Sequence, residues 1–156
     1  MESRRTGGAD RRDARAPGGR VRLPRSMTHN RRRRWSVERI LGVLAEALGD
    51  GVRIDESARM RYGRDGWARS ELAGFVGDGG PMPMAVVFPA DTARMAKAVR
   101  ICRDAGVRMV PRGAGSGRSG GVLADERTVV LATDRLTGLR AFDPYDRVAT
   151  FGAGTR

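Results

Sequence analysis

The chain has 156 residues, 40% of them hydrophobic, which suffices to bury the core of one small domain, and its single cysteine excludes an internal disulfide. A net charge of +12 points first to a nucleic acid or a membrane surface, yet residues 1–34 hold 12 Arg against 3 acidic residues, whereas residues 35–156 hold 18 Lys plus Arg against 15 acidic. The basicity is a property of the tail, and with Lys97 the only lysine it reflects coding bias as much as a binding surface.

The tail, residues 1–34, contains Gly7-Gly8, Pro17-Gly18-Gly19 and the run Arg31 to Arg34, has few residues able to build a core, and reads as disordered. Clustered arginines bind polyanions through counterion release, but no aromatic residue precedes Trp35 to stack on bases, so no specific nucleic-acid partner is expected. The plainer reading is a dispensable leader, with Met27 an alternative start. Arg33-Arg34-Trp35 superficially suggests a twin-arginine element, but Glu38, Arg39 and Glu46 break any apolar stretch behind it. No apolar run reaches transmembrane length, and the expected compartment is cytoplasmic.

From Ser36 the pattern changes. Val37, Ile40, Leu41, Leu44 and Leu48 fall at helical spacing, with Ser36 placed to cap the start and Gly49 to end the helix. Such a stripe can meet a membrane surface or a partner, and packing against its own domain is the commoner use. Val52-Arg-Ile54 reads as a short strand, and Tyr62-Gly-Arg-Asp65 as a surface polar segment without chemistry. Residues 35–80 are thus expected to be a helical lead-in and linker, ending in the Gly- and Pro-rich stretch Gly74 to Met84. The compact unit is expected over 81–156. Ala85 to Phe88 is a strand stopped by Pro89, and Asp91 caps a helix running to Ala105 and closed by Gly106. Met95, Ala98, Val99 and Cys102 fall on its core face, and Val107 to Val110 follows as a buried strand, giving a parallel βαβ unit. Thr128 to Ala132 is a further strand, Asp134 to Gly138 a turn, and Leu139–Phe142 pairs with Val148–Phe151 as a hairpin around Asp143-Pro144-Tyr145-Asp146.

Between two of these strands lies Val110-Pro-Arg-Gly-Ala-Gly-Ser-Gly-Arg-Ser-Gly-Gly121. Glycines without Cβ atoms let a ligand approach the backbone, whose N–H groups can converge on an anion. Gly115-Ser-Gly117-Arg-Ser-Gly120 matches G-x-G-x-x-G, but a dinucleotide fold needs those glycines to open a helix, and Val122 to Arg127 is too short for one. A phosphate-binding P-loop needs a closing Gly-Lys-Ser/Thr, and Lys97 lies upstream. What remains is a strand–loop–strand arrangement whose amides, with the Ser116 and Ser119 hydroxyls, hold a diphosphate at the carboxyl end of a strand.

The run Pro111 to Gly121 resembles the flavin-binding loop of the FAD-linked oxidases related to the glycolate oxidase and D-lactate dehydrogenase flavoproteins, usually PRGAGTGLSGG. The resemblance extends upstream through Ala85 to Met95, and downstream through Arg140-Ala-Phe-Asp143-Pro144, Arg147 to Thr150 and Gly152-Ala-Gly154. Tyr62-Gly-Arg-Asp65 is similar to a Tyr-x-x-Asp feature of the family. Ser116 stands where Thr is usual and keeps the hydroxyl; Arg118 replaces an aliphatic residue, and either pairs with phosphate or clashes. The resemblance implies an α+β fold, the first subdomain of a PCMH-type FAD-binding domain cut short after Arg156. It implies FAD as cofactor, with Arg112, Gly113, Ala114, Gly115, Ser116, Gly117, Ser119 and Gly120 at its diphosphate. Arg112 is equally readable as a solvated loop residue. Some relatives of this flavin fold attach FAD covalently through a histidine near the loop; no histidine follows His29, so binding is expected to be noncovalent.

The family reaction is oxidation of a small 2-hydroxy acid or similar alcohol by hydride transfer to the flavin. No catalytic base is assigned. His29 lies in the tail and Cys102 on an apolar helix face, and nothing has the spacing of a metal site. Three readings follow: the front part of an FAD-dependent oxidoreductase; a noncatalytic remnant, or a subunit needing a separately encoded C-terminal part; or a basic module whose tail engages nucleic acid.

Overall fold

The computed structural model describes residues 35–68, 72 and 82–156. The expectations for the tail and for most of the Gly74–Met84 stretch lie outside these residues. Helix α1 (Val37–Leu48) starts at Ser36, whose Oγ accepts the Arg39 N–H at 3.3 Å, and buries Ile40, Leu44 and Leu48, one per turn. A 3-10 turn at Gly49–Gly51 leads into β1 (Val52–Arg53), which stops one residue earlier than expected because Ile54 points to solvent. Helix α2 (Glu56–Tyr62) is capped by Asp55, whose Oδ1 accepts the Ala58 N–H at 3.0 Å.

Strand β2 (Ala85–Val87) is followed by helix α3 (Thr92–Ala105). Asp91 caps its start by accepting the Arg94 N–H at 2.7 Å, and Gly106, at φ +69°, turns the chain out of it. Ala98, Ile101, Cys102 and Ala105 are its buried residues, while Met95 and Val99 pack partly buried against the same core. Strands β3 (Arg108–Arg112) and β4 (Thr128–Ala132) complete a four-stranded sheet of order β1-β2-β4-β3. β2, β4 and β3 run parallel, and β1 is antiparallel to β2.

Two expectations change here. The βαβ unit is parallel, but its strands are not neighbours, because β4 enters between them. Every residue of β4 is buried, so the centre of the sheet is where that segment loses most contact with water. β3 is correspondingly not a buried strand. It is an edge strand, with Arg108 exposed and Met109 and Val110 half-buried, and it runs on through Pro111, whose missing N–H an edge tolerates.

The sheet is covered on both faces. Val87, Val129 and Leu131 pack with α1 and α3, so Ile40, Leu44 and Leu48 of the α1 stripe are spent on the chain's own core, while Val37 at its start stays exposed. Val86, Val130 and Ala132 point the other way and pack with Ala124, Tyr62 and Phe88. Beyond the sheet, β5 (Leu139–Asp143) and β6 (Val148–Phe151) form the expected antiparallel hairpin, with every residue of both strands exposed. No helix among the described residues is long and apolar enough to cross a membrane.

Candidate functional site

The parallel strands β3 and β4 are joined by residues 113–127 without a helix, so the glycine loop hangs directly from the carboxyl end of β3. Gly115 (φ +74°) and Gly120 (φ +76°) take left-handed conformations that side-chain-bearing residues avoid. Among the described residues, no backbone N–H from Ala114 to Val122 finds a hydrogen-bond acceptor. A run of unpaired donors on a surface loop is a ready cradle for an anion. Ser116, Arg118 and Ser119 are exposed, and Arg118 has no hydrogen-bond or ion-pair partner among the described residues.

Arg112 lies beneath the loop, only 8% exposed. Its guanidinium stacks 4.5 Å from the centre of the Tyr62 ring, with Nη1 donating to the Gly113 carbonyl at 3.3 Å and Nη2 to the Arg61 carbonyl at 3.4 Å. Nε is buried without a partner. Burial pushes the Arg112 pKa down, opposed by the nearby Tyr62 and Asp134, and arginine starts so high that it stays charged. A Cβ on Gly115 would collide with this guanidinium, so glycine there serves both conformation and close approach. The loop has a fixed positive charge under it and free amides above.

Tyr62 links several parts. Its ring meets Phe88 edge-on at 4.9 Å, and its hydroxyl donates to Asp134 Oδ1 at 3.0 Å, just past the end of β4. Burial first, and then the Asp134 carboxylate, raise the phenol pKa. Arg156 also donates to Asp134 Oδ1, at 2.8 Å, leaving Oδ2 buried and unpartnered. Thr133 ties the loop's root to the final segment as a double donor: its N–H donates to the Arg112 carbonyl at 3.0 Å and its hydroxyl to the Ala153 carbonyl at 3.0 Å. Gly152-Ala-Gly154 therefore sits beside the root of the glycine loop.

Reading Tyr62-Gly-Arg-Asp65 as a surface segment is corrected by this geometry. Asp65 is 6% exposed and accepts the Trp67 N–H at 3.2 Å. Its Oδ2 would stand 3.2 Å from a Cβ on Gly117. The polarity that made the segment look solvated is instead turned onto the loop and Asp134. Thr133 and Asp134 also went unassigned; being part of a turn after a strand, they carry no local signal of their own.

Tyr62 also lines an open pocket of about 440 Å³ with Arg53, Arg61, Phe88 and Arg135. Two of its arginines are already neutralised, Arg53 by Asp55 at 2.7 Å and Arg135 by Asp50 at 3.1 Å, so the unpaired donors of the loop make the stronger demand for an anion. Among the described residues no group of three or more His, Cys, Asp or Glu side chains is arranged to hold a metal ion.

Residues 83–156 match the FAD binding domain family. The chain is 33% identical over 116 residues to the D-2-hydroxyglutarate dehydrogenase of Xanthomonas citri pv. viticola, an alignment covering 74% of this chain and 23% of that protein. It is 33% identical over 69 residues to the D-lactate dehydrogenase of Archaeoglobus fulgidus, covering 44% of this chain and 15% of the relative. Among solved structures, an alkyldihydroxyacetonephosphate synthase superposes with a TM-score of 0.66 at 20% identity over 83% of this chain and 24% of that one. The chain thus spans about a quarter or less of the length of these proteins. Residues 83–156 thus carry the match to an FAD binding domain, with distant homology to these two dehydrogenases, in the α+β fold that the sequence resemblance implies.

Proposed function

We propose that this chain provides the diphosphate-binding part of a noncovalent FAD site in an oxidoreductase acting on a small 2-hydroxy acid or similar alcohol. The unpaired amide run above a buried arginine carries the reading. Gly113, Ala114, Gly115, Ser116, Gly117, Ser119 and Gly120 bind through backbone N–H groups, with the Ser116 and Ser119 hydroxyls as further donors. Arg112 contributes its charge from below and holds the Gly113 carbonyl away from the anion. The residues fit the cofactor on this chain's own geometry, since the left-handed Gly115 and Gly120 shape a loop whose amides are left unpaired while its inner side lies against Arg112 and Trp67. FAD, when bound, supplies the acceptor for the hydride leaving the substrate carbon. The hydroxy-acid class is supported by the names of the two dehydrogenase relatives, D-2-hydroxyglutarate and D-lactate.

The remainder of the site comes from a further polypeptide segment, on this or a separately encoded chain. The apolar side chains that β5 and β6 leave in water support this, as does the small share of each relative that the chain spans. The described part then binds cofactor, while substrate-orienting groups come from that segment.

The test is a titration with FAD followed by flavin fluorescence. Wild type is expected to bind saturably. Gly115→Val, which forces a branched side chain at φ +74° and into Arg112, is expected to weaken binding about ten- to a hundredfold. Equal affinity in a folded Gly115→Val chain overturns the loop assignment.

A further inference from the structure

The residues matched by the FAD binding domain family begin at 83, yet the loop is held in shape from outside that range. Three attachments reach it from the last residue of α2 and the segment that follows. Tyr62 stacks under Arg112 at its start. The Gly66 N–H donates to the Gly117 carbonyl at 2.9 Å in its middle. The Gly63 carbonyl accepts the Ala124 N–H at 3.0 Å at its end. Asp65 faces Gly117, and the Trp67 ring would lie 3.1 Å from a Cβ on Gly120, so the loop's inner side is in contact over most of its length.

We infer that residues 62–67 are a clamp that pre-organises the flavin loop, with Tyr62 and Asp65 as its positioning residues. The geometry explains why the loop amides are free. A long glycine-rich loop is entropically expensive to order, and one that folded on itself would pair its own donors. Here the loop is fixed through a carbonyl (Gly117), a terminal amide (Ala124) and a buried guanidinium (Arg112), so the amides between are left unpaired. Pre-organised donors bind an anion without the ordering cost that a mobile loop incurs on each binding event. The Asp65 carboxylate is turned to the inner side, against Gly117 and the Trp67 amide. An added Cβ at position 117 would stand 3.2 Å from Asp65 Oδ2, tighter than ordinary contact, so a side chain there would have to displace the carboxylate.

The clamp's role in FAD binding rests on the reading above, and the experiment separates the two. Tyr62→Leu removes the ring beneath Arg112, Tyr62→Phe keeps it, and Asp65→Ala tests the clamp away from the core. FAD affinity and amide exchange are measured on the full chain, with far-UV circular dichroism confirming the fold. Tyr62→Leu and Asp65→Ala are each expected to bind FAD about tenfold more weakly, and Tyr62→Phe within about twofold of wild type. The Gly66 and Ala124 amides should exchange faster in the two weak variants while β4 amides keep their protection, a pattern that general destabilisation does not produce. Unchanged FAD affinity in both Tyr62→Leu and Asp65→Ala overturns the inference. Should wild type bind no FAD, the functional reading fails, and exchange alone decides the clamp: protected Gly66 and Ala124 amides, released by these variants, uphold it, and unprotected ones in wild type overturn it.

Discussion

The sheet with its two helices and the β5–β6 hairpin are built from similar residues and end in opposite states. In the sheet, Val86, Val87, Val129 and Val130 are completely buried. In the hairpin, Leu139, Phe142, Val148 and Phe151 are each more than half exposed. Local pattern is satisfied equally in both, so the difference lies in what each has to pack on. β4 lies between two strands and under two layers, whereas the hairpin has one partner strand and no layer. A lone two-stranded hairpin is marginal in water, and this one is held by its ends. The Gly152 N–H donates to the Gly138 carbonyl at 2.8 Å, and the Gly154 N–H to the Leu136 carbonyl at 3.0 Å. The first region stabilises the chain, and the second presents an apolar surface.

The largest contrast comes from cutting apolar side chains in each. Leu44→Ala empties a completely buried site between α1 and the sheet and is expected to cost about 3 kcal/mol in urea unfolding. Phe142→Ala, at a residue 63% exposed, should change stability by less than about 0.5 kcal/mol. Comparable losses at both positions would mean that the hairpin is covered in solution. A smaller effect, confined to one region, is expected from Gly154→Ala. Its Cβ would meet the Thr133 carbonyl, a backbone group that cannot rotate away, at an expected cost of about 2 kcal/mol. The Gly152 and Gly154 amides should lose exchange protection while those of β4 keep theirs, and a loss shared by β4 would make the two regions one cooperative unit.

Legibility in the sequence follows the same division between local and distant causes. Helix α1, helix α3 and the hairpin were readable because Ser36, Asp91, Gly106 and the Asp143-Pro144 turn act within a few residues of themselves. The order of the sheet was not, because β4 takes its central place through burial against segments far along the chain. The glycine loop was legible as a loop at the carboxyl end of a strand, and its resemblance to a flavin loop carried through to the FAD binding domain match of residues 83–156. Its support was not. Tyr62 and Asp65 are polar residues in a short segment, and their partners Arg112 and Gly117 are some fifty positions away. Nothing local distinguishes a polar residue turned inward from one in water.

Cys102 offers the finest measure of how closed the sheet region is. Its thiol is completely buried on α3, and burial pushes its pKa up to about 11 from an ordinary value of 9.0. The unfolded chain therefore releases this proton first. Stability is full below pH 9 and falls as pH rises toward 11, because deprotonation favours the unfolded chain until the folded thiol also ionises. At pH 10 wild type should have lost about 1 kcal/mol that Cys102→Ala, with no thiol, retains. Tyr62 and Arg112 also have shifted pKa values, but both are present in either protein and cancel in the difference. Urea unfolding at pH 8 and pH 10 is the measurement. Cys102→Ala begins less stable through its lost packing, and the gap should narrow at the higher pH. A gap that stays constant would mean that water reaches this helix face, and the closed region would then resemble the hairpin more than its burial suggests.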